Sequence, residues 1–125
     1  MSFKESMSIE DDMKGLINQE TRAVSIILLT GLTFVTPVDT GRAKGNWFVG
    51  VNKSNRDTEK ERRLSQAIAE GNSKIGSARQ LDYPTIVLSN NLPYIEKLND
   101  GHSKQAPKKF VEAEIHRVSN ASKNL

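Results

Sequence analysis

Asp39-Thr40-Gly41 is the first group in this sequence whose residue types could do chemistry. Asp-Thr-Gly is the triplet in which aspartic proteases hold a catalytic carboxylate. Short chains of the retroviral type supply one triplet per subunit, so that two carboxylates share a proton across a dimer. The neighbouring residues argue against that chemistry. The triplet follows a helix-like stretch and Pro37 where a protease has an apolar strand, and Arg42-Ala43-Lys44 puts two cations beside the dyad. The pattern is also too helical for an all-β enzyme. Asp39, Thr40 and Gly41 read instead as a structural turn, Asp39 bonding the backbone amides ahead of it and Gly41 supplying a positive φ.

The other reactive types are sparse. There is no cysteine, which removes disulfides, thiolate catalysis and cysteine-ligated metal. His102 and His116 lack any HxxxH or HExxH spacing, so the expectation is no metal and no cofactor. Glu112 and His116 stand four apart on a helical pattern and read as a surface pair, since no nucleophile accompanies them. No nucleophile, base and oxyanion hole assemble, and the reading is that the chain is not an enzyme.

Charge points to binding only weakly. Eighteen Lys and Arg face fifteen Asp and Glu, for a net charge of +3. A stand-alone nucleic-acid reader clusters positive charge more strongly. Arg42 and Lys44 beside the turn read as phosphate contacts, solvated loop charges or intersubunit ion pairs, and Lys60, Arg62 and Arg63 stand in the run Glu59-Lys60-Glu61-Arg62-Arg63. The alternating signs of that run read as an exposed helix face. The opening MSFKESMSIEDD has no signal-peptide pattern, and the apolar stretch Ala23 to Val35 is shorter than the ~20 residues of a membrane span. The expectation is a soluble intracellular product.

These residues need elements to position them. Ser8 with Asp11 resembles a capping box, and Ile9, Met13, Leu16, Ile17, Val24, Ile27, Leu28, Leu32 and Val35 recur at helical spacing until Thr36-Pro37, with Glu20 the one break. From Ala23 this helix is apolar nearly all round, so a neighbouring element or chain should wrap it. Pro37 to Gly45 reads as a loop, Asn46 to Val51 as a strand with Trp47 and Phe48 on opposite faces, and Asn52 to Arg56 as a polar turn. A charged helix spans Thr58 to Glu70, broken by Gly71-Asn72. Thr85 to Ser89 is a second strand and Pro93 to Leu98 a short helix. Pro107 opens a final helix with Phe110, Val111, Ile115 and Val118 on one face. Strand and cap anchors are Trp47, Asn90, Pro93, Tyr94, Gly101 and Pro107. The class is α+β: a long N-terminal helix packed on a small antiparallel sheet, with a charged middle helix and a C-terminal helix. One domain fits residues 1–125, residues 1–7 and 119–125 being flexible. Two strands do not stand alone, so weak strands are missing from the pattern or copies complete the sheet.

Two blocks carry a family likeness. Thr36-Pro37-Val38-Asp39-Thr40-Gly41-Arg42-Ala43-Lys44-Gly45-Asn46-Trp47 resembles the "PVDTGRxxxNW" block of the tailed-phage family typified by the tenth gene product of phage HK97. Leu88 to Pro107 (LSNNLPYIEKLNDGHSKQAP) resembles its second block, a strand ending in Ser-Asn, then "LPYIxxLExG", then "SxQAP". The likeness covers about Asp12 to Val118. Asn99 stands where many members have glutamate, and Lys108-Lys109-Phe110 replaces a glycine-containing turn.

The resemblance implies a tail-completion, neck or head–tail joining protein, related to the phage lambda tail-completion protein. It implies copies of the chain in a ring around the DNA channel, against a head–tail connector (adaptor) and tail terminator or tail tube proteins. Genomic DNA would pass through the lumen without specific contacts, with Arg42, Lys44, Lys60, Arg62 and Arg63 the candidates for intersubunit contacts or for lining that channel, and no membrane is involved. The location implied is the virion, after assembly in the host cytoplasm. A tail terminator or another minor tail protein is the alternative within this class. A small basic nucleic-acid-binding protein is the alternative outside it.

Overall fold

The computed structural model describes residues 3–38, 42–59, 61–101 and 106–122. The elements run α1 (Phe3–Val35), α2 (Arg42–Gly45), β1 (Trp47–Val51), α3 (Leu64–Ser77) with a 3₁₀ turn at Ala78–Gln80, β2 (Ile86–Asn90), α4 (Ile95–Asn99) and α5 (Phe110–Ser122). The fold is α+β. At ~1.5 Å per residue α1 is roughly 50 Å long, yet no helix among the described residues is long and apolar enough to cross a membrane.

β1 and β2 pair antiparallel, with Trp47 opposite Asn90 and Val51 opposite Ile86. They are the sheet's two strands among the described residues. Trp47 and Val49 of β1 cluster with Leu29 and Leu32 of α1 and Ile75 of α3, and Ile86 and Leu88 of β2 pack against them. Asn52 closes the open end of the sheet. Its φ is +61°, a region Asn tolerates, and its backbone and side chain exchange two hydrogen bonds with the backbone of Thr85 at 2.7 and 2.8 Å. A second cluster joins Ala43, Leu92, Leu98, Ala106 and Phe110, with Tyr94 and Ile95 packed against it. Helix α5 runs back along α1.

Several boundaries depart from the sequence reading. Helix α1 begins at Phe3, five residues before the start expected at Ser8, and Lys4 to Met7 contain no breaker. Arg42 to Gly45 form a helical turn where a loop was expected. The middle helix starts at Leu64, because Glu59 is bonded to Asn46 and Arg62 to Gly45, Trp47 and Glu70 ahead of it. Gly71 does not break it: a Cβ there would lie 2.3 Å from Leu29 Cδ2, so glycine lets α3 approach α1. Pro107 does not open α5. Lys109 intervenes at φ +62°, incompatible with a right-handed helix, and donates its N–H to the Asn99 carbonyl, so the helix starts at Phe110. The end of α5 stays helical to Ser122, where a flexible tail from Ser119 was expected, and Ile115 is exposed while Glu114 takes the inward position.

Candidate functional site

The candidate turn residues Asp39, Thr40 and Gly41, and Lys60, lie outside the described residues. The remaining candidates divide sharply. Those on the Thr36–Trp47 block and those on the Leu88–Pro107 block come together, and two of the candidate cations, Lys44 and Arg62, are turned to backbone carbonyls within the chain.

Trp47 ties β1 to the end of α1. Its Nε1 donates to the Thr36 hydroxyl at 2.9 Å, and that hydroxyl donates to the Leu32 carbonyl at 2.6 Å. Phe48, on the opposite face of the strand, is also buried. Asn46 is fully buried and spends its side chain on three bonds. Its Nδ2 donates to the carbonyls of Arg42 and Glu59, both at 2.7 Å, and its Oδ1 accepts the Glu59 N–H at 2.8 Å. This holds Glu59 extended, which is why the expected helix does not begin at Thr58.

Arg62 follows directly and is a correction. It was a candidate for an exposed channel cation, but its residue is 4% exposed. Nη1 donates to the carbonyls of Trp47 at 2.7 Å and Gly45 at 3.2 Å, and Nε and Nη2 both donate to Glu70. The guanidinium lies 3.9 Å over the Phe48 ring centre. A planar fork of donors above an aromatic face suits arginine and not lysine. Gly45 makes room: a Cβ there would lie 1.6 Å from the Arg62 carbonyl oxygen.

Lys44 is also spent within the chain. Its Nζ donates to the carbonyls of Thr33 at 3.0 Å and Phe34 at 2.7 Å, at the C-terminus of α1, where a cation is favoured. Burial holds its pKa below the usual lysine value. Arg42 is half-buried on α2, and Arg63 is exposed as the residue capping α3, with its N–H bonded to Gln66 Oε1.

In the second block, Asn90 Nδ2 donates to the Ala43 carbonyl at 2.9 Å and its Oδ1 accepts from the Leu92 N–H. Tyr94 is half-buried and packs with Leu92 and Leu98 in the second cluster, away from the sheet. Pro93 and Pro107 are exposed, and Gly101 has φ +97° after α4. Asn99 anchors α5: its Oδ1 accepts the Val111 N–H at 2.9 Å, and its Nδ2 donates to both Glu112 oxygens at 3.0 and 2.8 Å. That bond holds the Glu112 carboxyl below its ordinary value. Glu112 thus pairs with Asn99 and not with His116.

The buried polar residues that escape sequence reading include Asn18, whose Nδ2 ties α1 to the carbonyls of Ala78 and Leu81, with Thr33, Thr36, Asn46 and Glu114. Their only signal is a polar residue inside an otherwise apolar face or before an aromatic strand. Among the described residues no three His, Cys, Asp or Glu side chains converge as a metal site requires.

What remains open to solvent is an apolar surface on α1. Phe34 is 76% and Leu16 67% exposed, and Met13, Ile17, Ile26 and Ile27 are exposed with them. Comparison with protein-family models, curated proteins and solved structures finds no match to this chain.

Proposed function

We propose that this chain is a structural virion protein of a tailed phage, a head–tail joining or tail-completion subunit that assembles as a ring of copies around the DNA channel. The observation that carries the reading is that the two phage-like blocks meet in one unit. Asn90 of the second bonds the Ala43 carbonyl of the first, Trp47 pairs with Asn90, and Ala43 packs with Leu92, Leu98 and Ala106. Residues that recur as two separated blocks would do so because they are a single structural module.

The exposed apolar surface of α1 supports an assembling subunit, since a chain that works alone rarely leaves such residues together in water. Ring closure needs two different faces on each copy, and the α1 face is one of them. The cations weigh against the nucleic-acid alternative. Arg62 and Lys44 serve backbone carbonyls, so neither supplies the phosphate contacts that such binding needs.

Deleting the gene from the phage tests the reading. Filled heads and finished tails should accumulate unjoined, and adding the purified chain should join them. Infectious particles of normal yield would overturn it.

A further inference from the structure

The exposed apolar residues of α1 are ordered. From Met13, steps of four and three residues pass through Ile17, Glu20, Val24 and Ile27 to end at Gly31 and Phe34. That is the spacing of a helix–helix seam, and at about 100° per residue it lies nearly opposite the buried face of Asn18, Leu29 and Leu32. Over its C-terminal half the seam becomes a groove. Ile26, Ile27 and Phe34 form one wall and Glu114 and Arg117 of α5 the other, around a cavity of about 630 Å³. Gly31 is the floor, where a Cβ would lie 2.0 Å from Glu114 Oε1.

We infer that this seam binds a second copy of the same chain, with the two α1 helices antiparallel. The two halves of the seam complement each other. Its N-terminal half is a ridge, on which Met13 and Ile17 stand exposed. Its C-terminal half is a groove. Antiparallel pairing about an axis near Val24 lays each ridge in the other copy's groove, burying both halves twice.

Charge selects the direction. Glu20 is exposed within the apolar seam and forms no ion pair in the described chain. Helix α5 runs back along α1 from the Phe110 cluster beside Val35, past Glu114 at Gly31, which puts Arg117 beside Ile27. In the antiparallel pair Glu20 of one copy approaches Arg117 of the other. Arg117 already bonds Glu114, and its fork has donors to spare. A parallel pair would instead set Glu20 against Glu20, and like charges in a seam disfavour that arrangement. The pairing does not depend on the head–tail reading. Where that reading holds, the pair is the unassembled form, with the α1 face hidden until a ring is met.

The absence of cysteine makes the test direct. Sedimentation equilibrium of the full chain should show dimer. Val24→Cys should cross-link to itself under oxidation; Ile17→Cys should not, and Met13→Cys should link to Phe34→Cys when the two are mixed. Glu20→Arg should weaken the dimer by about tenfold or more, and adding Arg117→Glu should restore it. Self-linking of both Val24→Cys and Ile17→Cys would mean a parallel pair and overturn the inference. Failure of Val24→Cys to self-link would mean a head-to-tail contact, and a monomer at all concentrations would leave the groove to some other occupant. Either result also overturns it. A chain that pairs in this way yet is missing from virions refutes only the proposed function.

Discussion

Replacing Arg62 by alanine is the sharpest perturbation of this fold. The guanidinium supplies buried hydrogen bonds to the carbonyls of Trp47 and Gly45, at the point where α2 passes into β1. A hydrogen bond from a charged donor is worth about 1.5–3 kcal/mol, and the stacking on Phe48 about 1 kcal/mol. The Glu70 pair adds under about 1 kcal/mol, since the Glu70 side chain is 57% exposed. Truncation admits some water to the carbonyls, so the net loss expected is about 3–5 kcal/mol. For a chain of this size each kcal/mol moves the melting temperature by roughly 3–5 °C, so Arg62→Ala should melt roughly 10–20 °C below the parent. Differential scanning calorimetry of parent, Arg62→Ala, Arg62→Lys and Glu70→Gln separates the contributions. Lysine should recover only part of the loss, because it lacks the planar fork, and Glu70→Gln should cost little. A melting temperature for Arg62→Ala within a degree of the parent would refute the reasoning and return Arg62 to the solvent-facing cations.

Three further outcomes follow from the same contacts. Gly71→Ala should destabilise by about 1–2 kcal/mol in urea titration, because crowding of Leu29 outweighs the helix propensity that alanine brings. Lys44→Met should cost about 1–2 kcal/mol in the same assay, by leaving the Thr33 and Phe34 carbonyls without their cation. Asn99→Ala should raise the Glu112 carboxyl toward its ordinary value, read by NMR titration. With the folded value depressed below 4.5, the Asn99–Glu112 bond stabilises the native state above that pH, and its contribution fades as pH falls through the folded value.

The elements most visible in the sequence were those whose cause is local. The period of α1, the β-branched and aromatic strands around Trp47 and Val87, and the stop at Thr36-Pro37 all reflect neighbours in the chain. The misplaced boundaries have causes far along the chain. Asn46 bonds Glu59 thirteen residues away and so prevents a helix that the charge pattern alone favours. Asn99 takes the Lys109 N–H, and α5 starts three residues after Pro107. Gly71 looked like a breaker because its use, the approach of Leu29, is invisible without the tertiary fold. The site fared the same way. Trp47 and Asn90 were legible as anchors, since an aromatic strand start and an Asn at a strand end have local signatures. Arg62 and Lys44 were not, because a basic residue in a charged run reads as solvated until a carbonyl is found beside it.

A reconstruction of the phage particle at side-chain resolution decides whether this chain has a place in the virion. Density for this chain is expected at the head–tail junction, in a closed ring of copies around the DNA channel, with the Thr36–Trp47 and Leu88–Pro107 blocks packed together in every subunit. A junction built entirely of other chains, or copies of this one present without contacts to each other, would contradict it.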